Sequence, residues 1–260
     1  MGEVGLTGAL ASLVLIAVAL GLSRREGLRL ERNIVEAVLR SAAQLALVGS
    51  ALGLVIAEGA WLGWSFVWVA AIVAIAAATI ARRVPELPGG FPIALAATAT
   101  AAAVGLTVTF AFGIFPVTGR TVVPVAGMLT GNTMKAGVVV ARRLVEAVAE
   151  RRAEIEARLA LGLSGAEAAR PVVRGALRLA VSPQVEDTKA LGLVLLPGTM
   201  TGLILAGVDP LDAVLTQAAL MYLILGGVVT SASVIALLGA RRLFTPDHRL
   251  RPTVRSAGDE

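Results

Sequence analysis

The side chains able to do chemistry are few, and most stand in apolar company. Glu36 and Arg40 lie four apart, the spacing at which opposite charges can pair on one helix face. Gln44 follows one turn deeper in the same apolar run. In "VAGMLTGNTM", Thr130, Asn132 and Thr133 sit beside Gly127 and Gly131 and can hydrogen-bond across helices. Lys135 comes next, with a stem long enough to snorkel. Three thioethers, Met128, Met134 and Met200, are soft donors suited to passing contact with a metal ion. They form no tight cage, and a transported ion must leave as readily as it enters. Glu186, Asp187 and Lys189 precede a further apolar run and are placed at the cytosolic surface. Asp209 and Asp212 flank Pro210 in a polar turn at a helix start.

Other chemistry is excluded by composition. The chain has no cysteine, so disulfides, iron–sulfur clusters and thiolate metal sites are absent. The single histidine, His248, falls in a charged tail, so no His-centred site is available in an apolar segment. Paired deep carboxylates are lacking, which argues against an intramembrane enzyme. No GxxxxGK[ST] phosphate loop occurs, so the chain does not carry that ATP-hydrolysing motif.

The elements that hold these residues must be membrane helices. Of 260 residues, 57% are hydrophobic and 16% charged, against about 25% charged in soluble domains. Mean hydropathy is +0.83. A soluble core cannot hide so much apolar surface in a chain of this length. Seven runs approach the roughly 20 residues needed to cross a bilayer: Val4–Leu22, Ile34–Ala57, Trp61–Ala81, Phe91–Phe115, Val122–Ala141, Ala190–Val208 and Leu211–Ala240.

Basic residues orient these runs. With the N-terminus outside and the C-terminus cytosolic, all but four of the 23 lysines and arginines fall in cytosolic loops or the tail. Arg120 is outside, and Arg40, Lys135 and Lys189 lie within or at the edge of spans. The net charge of +5 thus reflects topology and does not argue for nucleic acid. Trp61, Trp64 and Trp68 gather at the outer end of the third run, where indoles favour the interface. Val4–Leu22 is expected to remain as an anchor, because positive charges follow it instead of preceding it.

Residues 142–189 form the one sizeable aqueous segment. Its first half is amphipathic, with Leu144, Val148, Ile155 and Leu159 on one face, and extends the fifth span into the cytosol. Gly162 then stops a helix. Ser164 caps the next, with Glu167 completing a capping box. Pro171 is expected to limit that helix to about two turns, and a second helix is expected over Val172–Val181, running to Pro183. A short helix held at a bend has the shape of a plug for another protein; a solvated connector is the plainer reading.

Proline and glycines interrupt the sixth run at "PGTMTG", Pro197–Gly202. In water a mid-helix proline costs about 3 kcal/mol and a glycine about 1 kcal/mol. Between membrane helices, small residues let backbones approach, so Gly198/Gly202 and Gly127/Gly131 read as two GxxxG faces. Thr199 and Thr201 can satisfy backbone carbonyls freed by Pro197. Two readings stand together: plain packing, and a hinge in spans five and six that exposes carbonyls along a pathway.

Several stretches resemble one family. The segment "EARLALGLSGAEAARPVVRGALRLAVSP" looks like the EAA-type cytosolic loop of ABC importer permeases. More closely, "RSAAQL", "VVPVAGMLTGNTM" and "LALGLSGAEAA" with "SPQVEDTKALGLVLLPGTMTGLILAGVDPLDAV" resemble FetB-type ABC permeases, described as bacterial iron exporters with plant relatives linked to aluminium tolerance. Thr199 stands where that family more often has methionine.

The resemblance implies an all-α polytopic fold: seven transmembrane helices, and a helical cytosolic coupling loop between spans five and six. Residues 1–240 would form one permease domain, and 241–260 a basic tail. It implies a homodimer working with a separate cytosolic ATPase, in which ATP and Mg are bound. This chain itself would hold no cofactor. The coupling residues would be Leu161, Gly162, Leu163, Ser164, Gly165, Ala166, Glu167 and Ala168. Pathway or packing roles fall to Gln44, Gly127, Met128, Gly131, Asn132, Met134, Pro197, Gly198, Met200 and Gly202. Export of metal, in particular iron, across the cytoplasmic membrane is the expected activity. The alternatives are a secondary transporter driven by an ion gradient and an ABC permease for a non-metal substrate.

Overall fold

The computed structural model describes residues 6–55, 61–192, 197–245, 247 and 249–251. The described residues are helical apart from turns and isolated bridge residues, among them the antiparallel bridge between Phe244 and Leu250. Two compact units are present, divided after Ala60.

The first unit is a helical hairpin, α1 (Leu6–Arg25) and α2 (Glu31–Val55). Gly27 (φ +65°) and Arg29 (φ +55°) take the left-handed conformations that turn the chain. Ser23 Oγ accepts from Leu30 N at 3.2 Å and donates to Glu31 Oε1 at 3.0 Å, tying the turn to the start of α2. Leu39, Leu45 and Leu47 of α2 are exposed, as suits a helix whose solvent is lipid.

The second unit contains α3 (Gly63–Arg83), α4 (Gly90–Ala111), α5 (Gly119–Glu150), α6 (Arg152–Ala160), α7 (Gly165–Ala190), α8 (Gly198–Leu205) and α9 (Pro210–Arg242). Helix α9 is central and packs on α4, α5, α7 and α8, while α3 packs on α4 and α5. The interior is built from alanines and glycines that admit larger neighbours. Leu129 of α5 inserts against Gly105 of α4 and Gly227 of α9, with no room for a Cβ at either glycine. A Cβ on Gly137 would meet Ile80 Cδ1 at 2.8 Å and Ile235 Cδ1 at 2.9 Å. Close backbone approach of this kind replaces the hydrophobic effect, which cannot drive helices together in lipid.

Among the described residues, Glu31–Gly53, Gly63–Arg83, Gly90–Ala111 and Pro210–Arg242 are both long and apolar enough to cross a membrane. These correspond to the second, third, fourth and seventh runs. Helix α5, at 32 residues, is about 48 Å long. That exceeds the ~30 Å hydrocarbon core, in keeping with a fifth run that continues into water. The helix breaks at Arg151, and α6 carries the amphipathic face onward. Leu144, Val148 and Ile155 are buried and Leu159 is half-buried.

Two sequence expectations are corrected. The sixth run is not one helix over Ala190–Val208. Helix α7 reaches Ala190, and α8 begins only at Gly198 and has eight residues. Gly192 is left-handed at φ +82°. Pro197, lacking an N–H, serves as the N-cap of α8 and not as a kink within a longer helix. Neither does Pro171 end a helix after two turns: α7 runs unbroken through Pro171 and Pro183. The carbonyls these prolines leave without an intrahelical donor belong to Glu167 and Leu179, both exposed residues.

Candidate functional site

The bend between α6 and α7 is set by local rules at both ends. Gly162 (φ +86°) closes α6 with a Schellman motif: Gly162 N donates to Leu159 O at 2.9 Å and Leu163 N to Arg158 O at 3.2 Å. Two residues later Ser164 caps α7. Its backbone N–H donates to Glu167 Oε2 at 2.9 Å, its hydroxyl donates to the same oxygen at 2.7 Å, and its Oγ accepts from Glu167 N at 3.4 Å. The Ser164 side-chain hydrogen bond first, then the bond from its backbone N–H, holds the Glu167 carboxyl below its ordinary pKa.

This tight double stop leaves an exposed apolar tip. Leu161 is 82% exposed and Leu163 38%. Ala166 and Glu167 are exposed on the next turn, while Gly165 and Ala168 are buried beneath them. Gly165 is the pivot. A Cβ there would stand 2.8 Å from Phe244 Cγ, so the segment after α9 folds back and seals the base of the bend. Leu243, Phe244 and Leu250 share one core with Ala168, Ala169 and Val172 of α7. The start of the tail is therefore part of the fold, and the tip is braced directly on α9. His248 lies outside the described residues.

Within the second unit the expected pathway residues stand on α5 and at the start of α8. Gly127 and Gly131 open on a cavity of about 190 Å³ between α3 and α5, lined also by Ile72, Ile75, Thr130 and Met134. A Cβ at Gly127, Gly131, Gly198 or Gly202 would meet nothing within 4 Å. Close packing inside the chain uses Gly105, Gly137 and Gly227 instead. Asn132 Nδ2 donates to Met128 O at 2.8 Å and Thr133 Oγ1 to Thr130 O at 3.0 Å, so both turn back on their own helix. Thr201 Oγ1 donates to Pro197 O at 3.2 Å. Gln44 is exposed on α2, and no ion pair joins Glu36 to Arg40 among the described residues.

The three methionines are dispersed. Met134 lines the α3–α5 cavity, Met200 is on α8, and Met128 packs on the cluster of Ala136, Met221, Ile224 and Val228. Met221, a thioether of that cluster, was passed over by the sequence reading. Gln217, one turn along α9 from Met221, was missed as well. It is 3% exposed, and its Oε1 has no hydrogen-bond partner among the described residues. A polar amide inside "VLTQAALMYLILGG" was the available signal. Among the described residues no group of three or more His, Cys, Asp or Glu side chains could hold a metal ion.

Comparison with known proteins places this architecture. Residues 6–244 match the family described as "Uncharacterised protein family (UPF0014)". The UPF0014 membrane protein STAR2 of Oryza sativa subsp. japonica is 32% identical over 256 residues, covering 98% of this chain and 89% of the relative. The probable iron export permease protein FetB of Escherichia coli (strain K12) is 31% identical over 240 residues, 92% of each chain. Protein ALUMINUM SENSITIVE 3 of Arabidopsis thaliana is 30% identical over 253 residues, covering 97% of this chain and 92% of the relative. No solved structure matches the chain. With residues 6–244 matched by the family and relatives about 30% identical over most of their length, the chain belongs to the UPF0014 family of membrane proteins.

Proposed function

We propose that this chain is the membrane-spanning permease subunit of an ABC transporter that exports metal, with iron as the cargo. It acts as a homodimer in the cytoplasmic membrane, and a separate cytosolic ATPase binds ATP and Mg and docks on Leu161–Ala168. The observation that carries the reading is the exposed Leu161–Leu163 tip, fixed by a Schellman stop and a capping box and braced through Gly165 and Phe244 on α9. A push on such a tip passes into α7 and α9 without being absorbed by a flexible linker. Iron as cargo is supported by the name of the FetB relative, a probable iron export permease.

The test is co-purification with the ATPase, followed by metal export from ATP-loaded vesicles. The double variant Leu161→Glu/Leu163→Glu alters only exposed side chains, so its thermal stability should stay within about 0.5 kcal/mol of wild type. It should lose the ATPase. Retention of a fully coupled complex by that variant overturns the docking site. Transport by the chain alone in proteoliposomes, without nucleotide, overturns the ABC reading in favour of a secondary carrier.

A further inference from the structure

We infer that the arginine-lined cavity where α6 meets α7 binds a phosphate-bearing anion, supplied by an acidic lipid headgroup or by a soluble phosphate. The inference needs neither the ATPase nor the metal cargo of the proposed function.

The cavity measures about 420 Å³ and is lined by Arg158 of α6 and by Arg170, Arg174 and Arg178 of α7. The three α7 arginines are spaced by four, so they stack on one helix face and repel one another. All three are exposed, and none of their guanidinium groups makes an ion pair or hydrogen bond among the described residues. Glu154 neutralises Arg158 at 2.8 Å. Glu167 is the one carboxylate in the lining, and its Oε2 already accepts from Ser164. The Ser164 hydrogen bonds lower its pKa first, and the Arg170 charge does so least. No further acidic residue occurs before Glu186 to relieve the arginines.

A neighbouring cavity shows how an ordinary solvated surface is built on the same helix. It measures about 180 Å³, shares Pro171 and Gly175 with the first, and takes its charges from Arg143, Glu146, Glu150 and Arg151. Those charges balance, and Arg143 pairs with Glu146 at 3.0 Å. On α6, Arg152 pairs with Glu156 at 2.8 Å. The α7 arginines depart from this pattern where the surface is concave.

The chemistry that suits them is phosphate. A guanidinium is planar, stays charged at neutral pH, and presents a fork that matches two phosphate oxygens. The volume falls in the ~300–1,000 Å³ range of small-molecule sites. Gly175 lies in the lining between Arg174 and Arg178, and a Cβ there would meet nothing within 4 Å. Any larger residue at 175 would occupy space that is now open to a ligand. Position bears on the source. Gly165 meets Phe244 just past the basic end of α9, and Val181 packs on the cluster of Ala136, Met221, Ile224 and Val228. The arginines lie between these two contacts. They stand beside the basic end of a helix long and apolar enough to cross a membrane, where leaflet phosphates gather.

Thermal unfolding of the full-length protein in neutral detergent tests the site, because a ligand that binds the folded state raises Tm. One arm titrates dioctanoyl phosphatidylglycerol, with dioctanoyl phosphatidylcholine as the control without net charge. The other titrates inorganic pyrophosphate. Arg170→Gln/Arg174→Gln/Arg178→Gln removes the charge, whereas Gly175→Leu keeps every charge and fills the cavity. Arg143→Gln/Glu146→Gln, in the balanced cavity, is the protein control. The four substituted site positions are exposed, and leucine forms helix better than glycine, so Tm without ligand should hold or rise in both site variants. We expect a saturable rise with phosphatidylglycerol or pyrophosphate, kept in the control variant and at least about tenfold weaker in apparent affinity in both site variants. A rise with phosphatidylglycerol alone assigns the site to lipid, and a rise with pyrophosphate alone to a soluble phosphate. Wild-type affinity in Gly175→Leu overturns the site in favour of diffuse attraction to a basic face. No rise with either source overturns the inference, and loss of the ATPase from the arginine variant would then assign the face to an acidic protein surface. Neither titration reads ATPase docking or metal export, so failure here is distinct from failure of the proposed function.

Discussion

Adding one methyl at Gly165 tests whether the exposed Leu161–Leu163 tip is braced on α9. The Cβ of an alanine there would lie 2.8 Å from Cγ, 3.0 Å from Cδ1 and 3.3 Å from Cβ of Phe244. These atoms are the root of the ring, and Phe244 is only 7% exposed, so the ring cannot swing aside freely. Overpacking of this sort costs about 1–3 kcal/mol. Alanine returns at most about 1 kcal/mol in helix propensity, and less in a first turn. Gly165→Ala is therefore expected to destabilise the protein by up to about 3 kcal/mol, lowering Tm by about 2–4 °C per kcal/mol.

The decisive comparison is a double-mutant cycle read by thermal unfolding in detergent. Phe244→Ala alone empties the site and should cost about 3–5 kcal/mol. In that background Gly165→Ala no longer clashes and should become neutral or stabilising. The sign reversal is the signature of direct contact. Equal penalties for Gly165→Ala in both backgrounds refute the brace. Under the proposed function, Phe244→Ala should also lower recovery of the ATPase, although Leu161 and Leu163 are untouched.

Three further outcomes are expected. Glu167 has a folded-state pKa held below its ordinary value by Ser164, so its stabilisation is present above the ordinary carboxylate pKa and is lost as pH falls through the folded one. The Tm gap between wild type and Glu167→Gln should close in acid, and a gap that stays constant through the carboxylate range refutes the cap's role. Gly227→Ala, driven against Leu129, should lose about 1–3 kcal/mol in detergent, whereas Gly131→Ala and Gly202→Ala, with open space around them, should be neutral or gain up to about 1 kcal/mol; equal losses would contradict the packing. Gln217→Leu removes a buried carbonyl oxygen that has no partner among the described residues and should raise thermal stability by about 1–3 kcal/mol, so a fall in Tm would show that the amide meets water or another group there.

The bend was legible in the sequence because its signals are local. Gly162, Ser164 and Glu167 each act within one turn, and the left-handed glycine, the N-cap and the capping box all form. The amphipathic face of Leu144, Val148, Ile155 and Leu159 was legible for the same reason. The brace was not: Gly165 and Phe244 are far apart in sequence, and nothing in "ARRLFTPDHRL" marks Phe244 as the residue that seals the bend. The glycines show the same limit. A GxxxG spacing says that a helix can be approached closely, but not by what. Gly127, Gly131, Gly198 and Gly202 have the spacing and stay open, while Gly105, Gly137 and Gly227 lack it and receive Leu129, Ile80 and Ile235.

The sixth run was misread for a physical reason. Hydropathy locates segments whose solvent is lipid. It reports the average environment of a residue window and cannot distinguish a charged helix free in the cytosol from one that packs along a spanning helix. The window therefore began at Ala190, where the charges stop, although α7 had been packing on α9 for several turns. Pro171 and Pro183 strengthened the error, since each reads as a helix end in isolation. Both lie where the freed carbonyl faces outward, so the helix continues through them. Under the proposed function this continuity is mechanically significant. One unbroken rod joins the capped tip at Ser164 to Glu186, Asp187 and Lys189, so a motor gripping the tip would move those residues with it.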